Sequence, residues 1–176
     1  LYGSVLGLLA EPPERFTLWK RTVLDDGNIA MTVGDARPDW VFHLAGFAHI
    51  NPAQASPADA FRLNVMGTVN LLEACRAVPT ICGIVVASSN HVYGNLRALK
   101  RSWRTQPFVE SDALAQRDVY GTSKACADQI ALCYGQSYEL PVVALRHANA
   151  WGPADPHENH LIPAMILARL EDRPLR

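Results

Sequence analysis

Tyr120 and Lys124 stand four residues apart in Tyr120-Gly121-Thr122-Ser123-Lys124. On a helix that spacing puts both side chains on one face. A nearby ammonium favours the phenolate and draws a phenol's pKa down from about 10 toward neutrality. A phenol tuned in this way exchanges a proton with a substrate hydroxyl while hydride moves at the same carbon. The spacing alone is weak and more often marks two polar side chains on a solvated helix face. Ser88 and Ser89 form a second focus, in Val85-Val86-Ala87-Ser88-Ser89-Asn90-His91-Val92-Tyr93-Gly94, where an apolar run gives way to a long polar connection. Ligands of open α/β sheets sit at the carboxyl ends of the strands, so a serine there reaches the oxygen that the tyrosine would serve. Strand-end turn chemistry is the other reading of that pair.

Elements of the right kind must hold these residues together. Short apolar stretches at 1–9, 28–33, 39–45, 81–87 and 141–146 read as strands, and the runs without polar alternation suit strands buried on both faces of a parallel sheet. Residues 51–57 read as loop. Ser56 then reads as a helix cap, with Pro57 at the first position and Asp59 as acidic partner. Phe61, Val65, Val69 and Leu72 follow at helical spacing to about residue 77. Helices are also expected over 119–137, capped by Asp118, and over 161–170. The connection 88–118 is far longer than an ordinary loop and reads as functional. The fold class is α/β, a doubly wound parallel sheet of Rossmann type, incomplete. Between 28–33 and 39–45 there is no room for the crossover helix that parallel strands need. Either those two strands are antiparallel or a helix has been lost, and loss is the expectation.

The 176 residues are 49% hydrophobic and 19% charged, with 16 basic and 17 acidic side chains, which supports one buried core and gives no electrostatic footprint for nucleic acid. No apolar run reaches the roughly 20 residues of a membrane span, and without a basic stretch leading into an apolar one at its start, no secretory signal is expected. Cys75, Cys82, Cys126 and Cys133 form no CxxC pair, so zinc and disulfide frameworks are set aside and a reducing cytoplasm is expected. Gly121 to Ala125 has the outline of a nucleophile elbow, but the polar residues before it are not a strand. Asp155, His157 and His160 lie in a Pro-rich loop with no second ligand cluster, which reads as a solvent-exposed or substrate-side loop, and no metal is expected. His43 reads as a hydrogen-bonded core residue.

Five ordered blocks give the sequence a wider meaning. Pro38-Asp39-Trp40-Val41-Phe42-His43-Leu44-Ala45-Gly46 resembles PDxVxHLAA, and Asn64-Val65-Met66-Gly67-Thr68 with Leu71-Leu72-Glu73-Ala74 resembles NVxGTxNLLEA. Ser88 to Gly94 resembles SSxxVYG, and Tyr120 to Lys124 resembles YxxSK. Arg146 to Pro153 resembles RxxNxYGP, followed by Leu161-Ile162-Pro163. Together they resemble the extended short-chain dehydrogenase/reductase family, specifically the NAD-dependent nucleotide-sugar epimerases and 4,6-dehydratases, over nearly the whole chain.

That resemblance implies Ser89 as the triad hydroxyl, Tyr120 as general acid/base, and Lys124 as holder of the nicotinamide ribose. Ala45, Gly46 and Ser88 would lie against the cofactor. His49, Asn90, His91 and Asn149 would face the sugar nucleotide. It implies NAD as cofactor, with NADP equally open because no acid marks the adenosine ribose site. It also implies a homodimer built on helices 57–77 and 119–137, with Met66, Leu71, Cys126 and Cys133 outward. A partial dinucleotide-binding domain would span 1–146, and the substrate region would begin at 147.

Two departures qualify the implication. The Gly-rich turn that binds pyrophosphate at a helix N-terminus is missing, since Gly3 and Gly7 make only GxxxG. The chain therefore reads as a fragment, too weak a binder of NAD to act by itself. The acidic pair common in 4,6-dehydratases is replaced by Asn90-His91. Neutral Asn90 is no general acid, so epimerase or reductase is expected before dehydratase. A non-catalytic dinucleotide-binding scaffold is the other class. The basic stretch 96–106 is either a diphosphate grip or a solvated insertion.

Overall fold

The computed structural model of the chain describes residues 16–94, 107–152, 155, 157, 158 and 160–174. The expected strand at 1–9 and the basic stretch 96–106 lie outside the described residues. The chain divides into two compact units, one of Trp19–Ala148 and one of Leu1–Leu18 with Asn149–Arg176.

The first unit opens with a correction. Residues 28–33, expected as a strand, lie inside helix α1 (Asp26–Ala36). Asp25 caps it, its carboxylate accepting from the Asn28 N–H at 2.9 Å, and Ile29 and Val33, four apart, form its buried face. Asp26-Gly27 lies in the helix's first turn. Arg37 ends the helix in the left-handed conformation. With α1 recognised, the expected loss of a crossover helix between two strands disappears, because there is no strand at 28–33 to connect.

Strand β1 (Trp40–His43) follows, then a second correction. Part of the stretch read as loop is helix α2 (Ile50–Ala55). Ser56 occupies the cap position of α3 (Pro57–Phe61), with Pro57 in the first turn, but its side chain makes no capping bond. A π segment (Arg62–Met66) follows and passes into α4 (Gly67–Arg76). The buried stripe lies one position before the expected one, starting at Ala60 ahead of the π segment. Ala60, Asn64, Thr68, Leu71, Leu72 and Cys75 face inward, whereas Phe61, Val65 and Val69 are only half-buried. Leu71, expected at an outward interface, is therefore a core residue. Met66 is exposed, as are the later Cys133 and, in part, Cys126.

Strand β2 (Gly83–Ala87) lies between β1 and β3 (Val142–Leu145), all three parallel, in the order β1-β2-β3. Trp40 pairs with Gly83 and Ile84 with Val142 in the register. Long helix α5 (Val119–Tyr138) precedes β3, capped by Asp118, whose carboxylate accepts from the Gly121 N–H at 2.7 Å. Ile84, Val86, Leu72, Cys75, Ile29, Val33 and Ala131 form the main core between one sheet face and the helices. Trp40, Phe42, Val143 and Leu145 on the other face are exposed, so among the described residues β1 and β3 bury one face, not the expected two. Helix α6 (Leu161–Leu170) belongs to the second unit and matches its expected span. No helix among the described residues is long and apolar enough to cross a membrane.

Candidate active site

Everything that converges here comes from the carboxyl ends of β1 and β2 and the first two turns of α5. After β2, Ser88 and Ser89 are both buried, and Ser89 caps a 3-10 turn (Asn90–Tyr93) by accepting from the His91 N–H at 3.2 Å. The turn ends at Gly94, whose φ of +70° and close approach exclude a side chain. A Cβ there would lie 1.9 Å from the Ala115 carbonyl oxygen. That approach lets the returning segment of the connection bond back, Ala115 N–H to Val92 O at 3.1 Å.

Tyr120 and Lys124 are both buried on α5. The Lys124 ammonium donates to the Ala87 carbonyl at 2.9 Å, tying the helix to the end of β2 one residue before Ser88. Burial lowers the pKa of this lysine from its ordinary value. The His91 ring meets the Tyr120 ring edge-on, with centroids 5.5 Å apart. Ser88, Ser89, His91, Tyr120 and Lys124 are thus gathered at one end of the sheet.

Gly46 completes the floor. A Cβ at this position would stand 3.5 Å from Lys124 Nζ and 2.6 Å from Asn64 Oδ1, so only a glycine lets the β1 loop lie against both. Asn64 was not expected to matter here beyond marking its block. It sits in the π segment and is 2% exposed; its Oδ1 accepts from the Phe47 N–H at 2.8 Å, and its Nδ2 donates to Ser123 Oγ at 2.8 Å. Ser123 in turn donates to the Tyr120 carbonyl at 2.8 Å. One carboxamide therefore joins the β1 loop to the Tyr120 turn. Asn64 stands four residues after the buried Ala60, which puts both on the inward face.

The chain of bonds continues to β1. Thr68 donates to the Asn64 carbonyl at 2.6 Å, which leaves its oxygen to accept from His43 Nε2–H at 3.1 Å. His43 is a buried, hydrogen-bonded residue of β1, as expected from its strand. Burial, with the Lys124 charge adding to it, holds its pKa at about 4 against an ordinary 6.5. The native state therefore keeps His43 neutral, while the unfolded chain takes up a proton below about 6.5. Its contribution is complete above that pH and is lost as pH falls toward about 4, some 3 kcal/mol in all. Urea midpoints measured across this window should fall steeply for the natural chain and more gently for His43→Gln. Equal slopes would contradict the assignment.

The remaining expected residues are less convergent. Ala45 is exposed and His49 half-buried at the cap position of α2. Asn149 is exposed in the second unit. In that unit Asp155 accepts from His160 Nδ1 at 2.8 Å and from the His157 N–H at 3.0 Å, and these two partners hold its carboxyl below the usual range.

Two observations bear on whether a nicotinamide ribose fits this end of the sheet. Ala87 takes one of the three N–H bonds that a buried ammonium offers, which leaves donors for ligand hydroxyls. Ser88 Oγ and Asn90 Oδ1 are buried and have no hydrogen-bond partner among the described residues. A polar ligand with hydroxyl and amide groups answers both.

Residues 6–176 match the model of the NAD dependent epimerase/dehydratase family. The chain is 36% identical over 148 residues to a CDP-paratose 2-epimerase of Salmonella typhi, covering 72% of this chain and 44% of that protein. It is 31% identical over 175 residues to a dTDP-glucose 4,6-dehydratase of Neisseria gonorrhoeae, covering 95% and 49% respectively. Among solved structures, the dTDP-glucose 4,6-dehydratase of Bacillus anthracis in complex with NAD superposes with a TM-score of 0.78 at 29% identity, covering 98% of this chain and 50% of that one. The chain spans about half the length of these relatives.

Proposed function

The chain belongs to the NAD-dependent epimerase/dehydratase family, and from that premise we propose that it forms the proton- and cofactor-handling core of an enzyme that moves hydride at a carbon of a nucleotide sugar. The observation that carries this reading is the Lys124–Ala87 bond. It sets Tyr120 and its lysine against the strand end that bears Ser88 and Ser89.

Ser89 Oγ and the Tyr120 phenol are the groups that would bracket the reacting sugar hydroxyl, Tyr120 taking its proton and Ser89 holding its oxygen. Lys124 would hold the nicotinamide ribose by its remaining N–H groups and favour the phenolate of Tyr120. Bound NAD supplies the hydride acceptor, and its reduced form the donor. Returning the proton from Tyr120 to the same oxygen closes an epimerisation or a reduction. Ala45, Gly46 and Ser88 are proposed to lie along the cofactor, and His49, Asn90, His91 and Asn149 along the sugar nucleotide.

Water elimination is the second reading, supported by the similarity to 4,6-dehydratases. It requires an acid beside the triad hydroxyl, and the Asn90 carboxamide has no proton of that kind to give, so epimerisation or reduction is preferred. The intact serine, tyrosine and lysine speak against a non-catalytic scaffold. The complete protein is proposed to be a cytoplasmic homodimer. Four cysteines without a disulfide suit a reducing compartment, and Met66 and Cys133 lie exposed on the helices concerned. The dinucleotide-binding region is proposed to run to residue 146 and the substrate region to start at 147.

Calorimetric titration of the complete protein with NAD tests the cofactor half. Lys124→Met removes charge-assisted bonds worth about 1.5–3 kcal/mol each, so NAD affinity should fall about tenfold to a hundredfold or more. Unchanged affinity in a folded Lys124→Met protein would refute the role of the lysine.

A further inference from the structure

Arg146, directly after β3, spends four of its five N–H bonds inside the first unit. Nε and Nη2 donate to Asp128 Oδ2 and Oδ1 at 2.9 and 2.8 Å, and Nη1 donates to the Tyr93 phenol and to the Glu110 carbonyl, both at 3.1 Å. The Asp128 side chain is completely buried and that of Arg146 is 14% exposed. Asp128 stands four residues beyond Lys124 and eight beyond Tyr120, so all three share one stripe of α5. Tyr93 closes the 3-10 turn that Ser89 caps, and its ring stacks on Phe108 with centroids 4.5 Å apart.

A single planar group therefore joins the helix of Tyr120 and Lys124 to the turn of Ser89 and His91. Nothing in this arrangement uses Arg146 to touch a substrate. Buried ion pairs add little stability compared with apolar residues of similar volume, but a fork–fork pair imposes direction. A lysine keeps the charge and loses the fork, because its ammonium cannot span both carboxylate oxygens and the phenol together.

We propose that Arg146 is a positioning residue, whose fork on Asp128 and Tyr93 fixes the Ser89–Tyr93 turn against the Tyr120–Lys124 face of α5. The consequence for turnover rests on the reading of Tyr120 as acid/base. The geometric half does not.

The edge-on contact of His91 with Tyr120 crosses the junction in question and serves as its gauge. The experiment follows the His91 imidazole resonance in the complete protein, assigned with His91→Gln, with Tyr120→Leu marking its position when the ring current is gone. In Arg146→Lys, with helix content retained by circular dichroism, the resonance should move most of the way to that mark. Tyr93→Phe removes one bond and keeps the Asp128 pair and the ring stack, so it should move the resonance the same way by less. At saturating NAD and nucleotide sugar, Arg146→Lys should lower kcat about a hundredfold with KM little changed, the scale expected for a misplacement of about 1 Å.

A His91 resonance at its natural position in both variants overturns the proposal, whatever happens to thermal stability. So does a shifted resonance with unchanged kcat. Should Arg146→Lys not fold, Tyr93→Phe alone decides, a shift supporting the proposal and its absence overturning it. Should the natural protein turn over no nucleotide sugar, the functional reading fails while the resonance still decides the geometry.

Discussion

Replacing Tyr120 by phenylalanine should lower turnover of the nucleotide sugar by about 10²–10⁴-fold, the span that a positioned acid/base contributes. The ring is buried and packs with Ala53, Ala60 and Val119, contacts that phenylalanine keeps. With those contacts kept, stability and nucleotide-sugar affinity should change little. What goes is the proton acceptor at the reacting oxygen, with Lys124 still in place on Ala87. Steady-state kinetics of the two proteins side by side provide the check. Near-normal kcat in Tyr120→Phe would remove this residue from the chemistry.

Asn64→Leu should be the most damaging single change to the framework. The leucine is similar in volume but strands the half-buried Phe47 N–H and takes from the buried Ser123 Oγ the N–H it accepts, leaving that hydroxyl its bond to the Tyr120 carbonyl. At about 1–3 kcal/mol for the donor left without a partner and about 0.5–1.5 kcal/mol for the lost Ser123 bond, the loss is about 1.5–4.5 kcal/mol. The β1 loop that carries Gly46 would also be released from α5. Chemical denaturation reads the first effect directly, and a loss below about 1 kcal/mol would show that Asn64 is not the junction described. Asn64→Asp, which keeps the acceptor for Phe47 and loses the donor to Ser123, should fall between the two.

These two residues mark how far the sequence could be read. Tyr120 and Lys124 were legible because a four-residue spacing and a capping Asp118 survive intact in the folded helix, and Ser88-Ser89 because an apolar run ends there. Strands 40–43, 83–87 and 142–145 were legible for the same reason. Asn64 was not, because the small Ala60 and the polar Asn64 and Thr68 fill the inward stripe where the larger apolar Phe61, Val65 and Val69 were expected. Residues 28–33 misled in a different way. Ile29 and Val33 are too few apolar residues to separate a short strand from one helix face, and Asp25 capping Asn28 is a bond that no spacing rule for strands reveals. Asp128 lay in view on the Tyr120–Lys124 stripe, but its meaning depends on Arg146, eighteen residues away in sequence and joined to it only in the fold.

The central claim is that the Ser89, Tyr120 and Lys124 end of this sheet moves hydride between a nucleotide sugar and a nicotinamide cofactor. The most direct test mixes the complete protein, loaded with NAD, with a panel of CDP-, dTDP- and UDP-sugars in a stopped-flow cell and follows the absorbance of the reduced nicotinamide. The account predicts a rise with at least one of these sugars, slowed in Tyr120→Phe by the same factor as its turnover. A protein that binds NAD yet shows no reduced cofactor with any of them, or an equally fast rise in Tyr120→Phe, would contradict it.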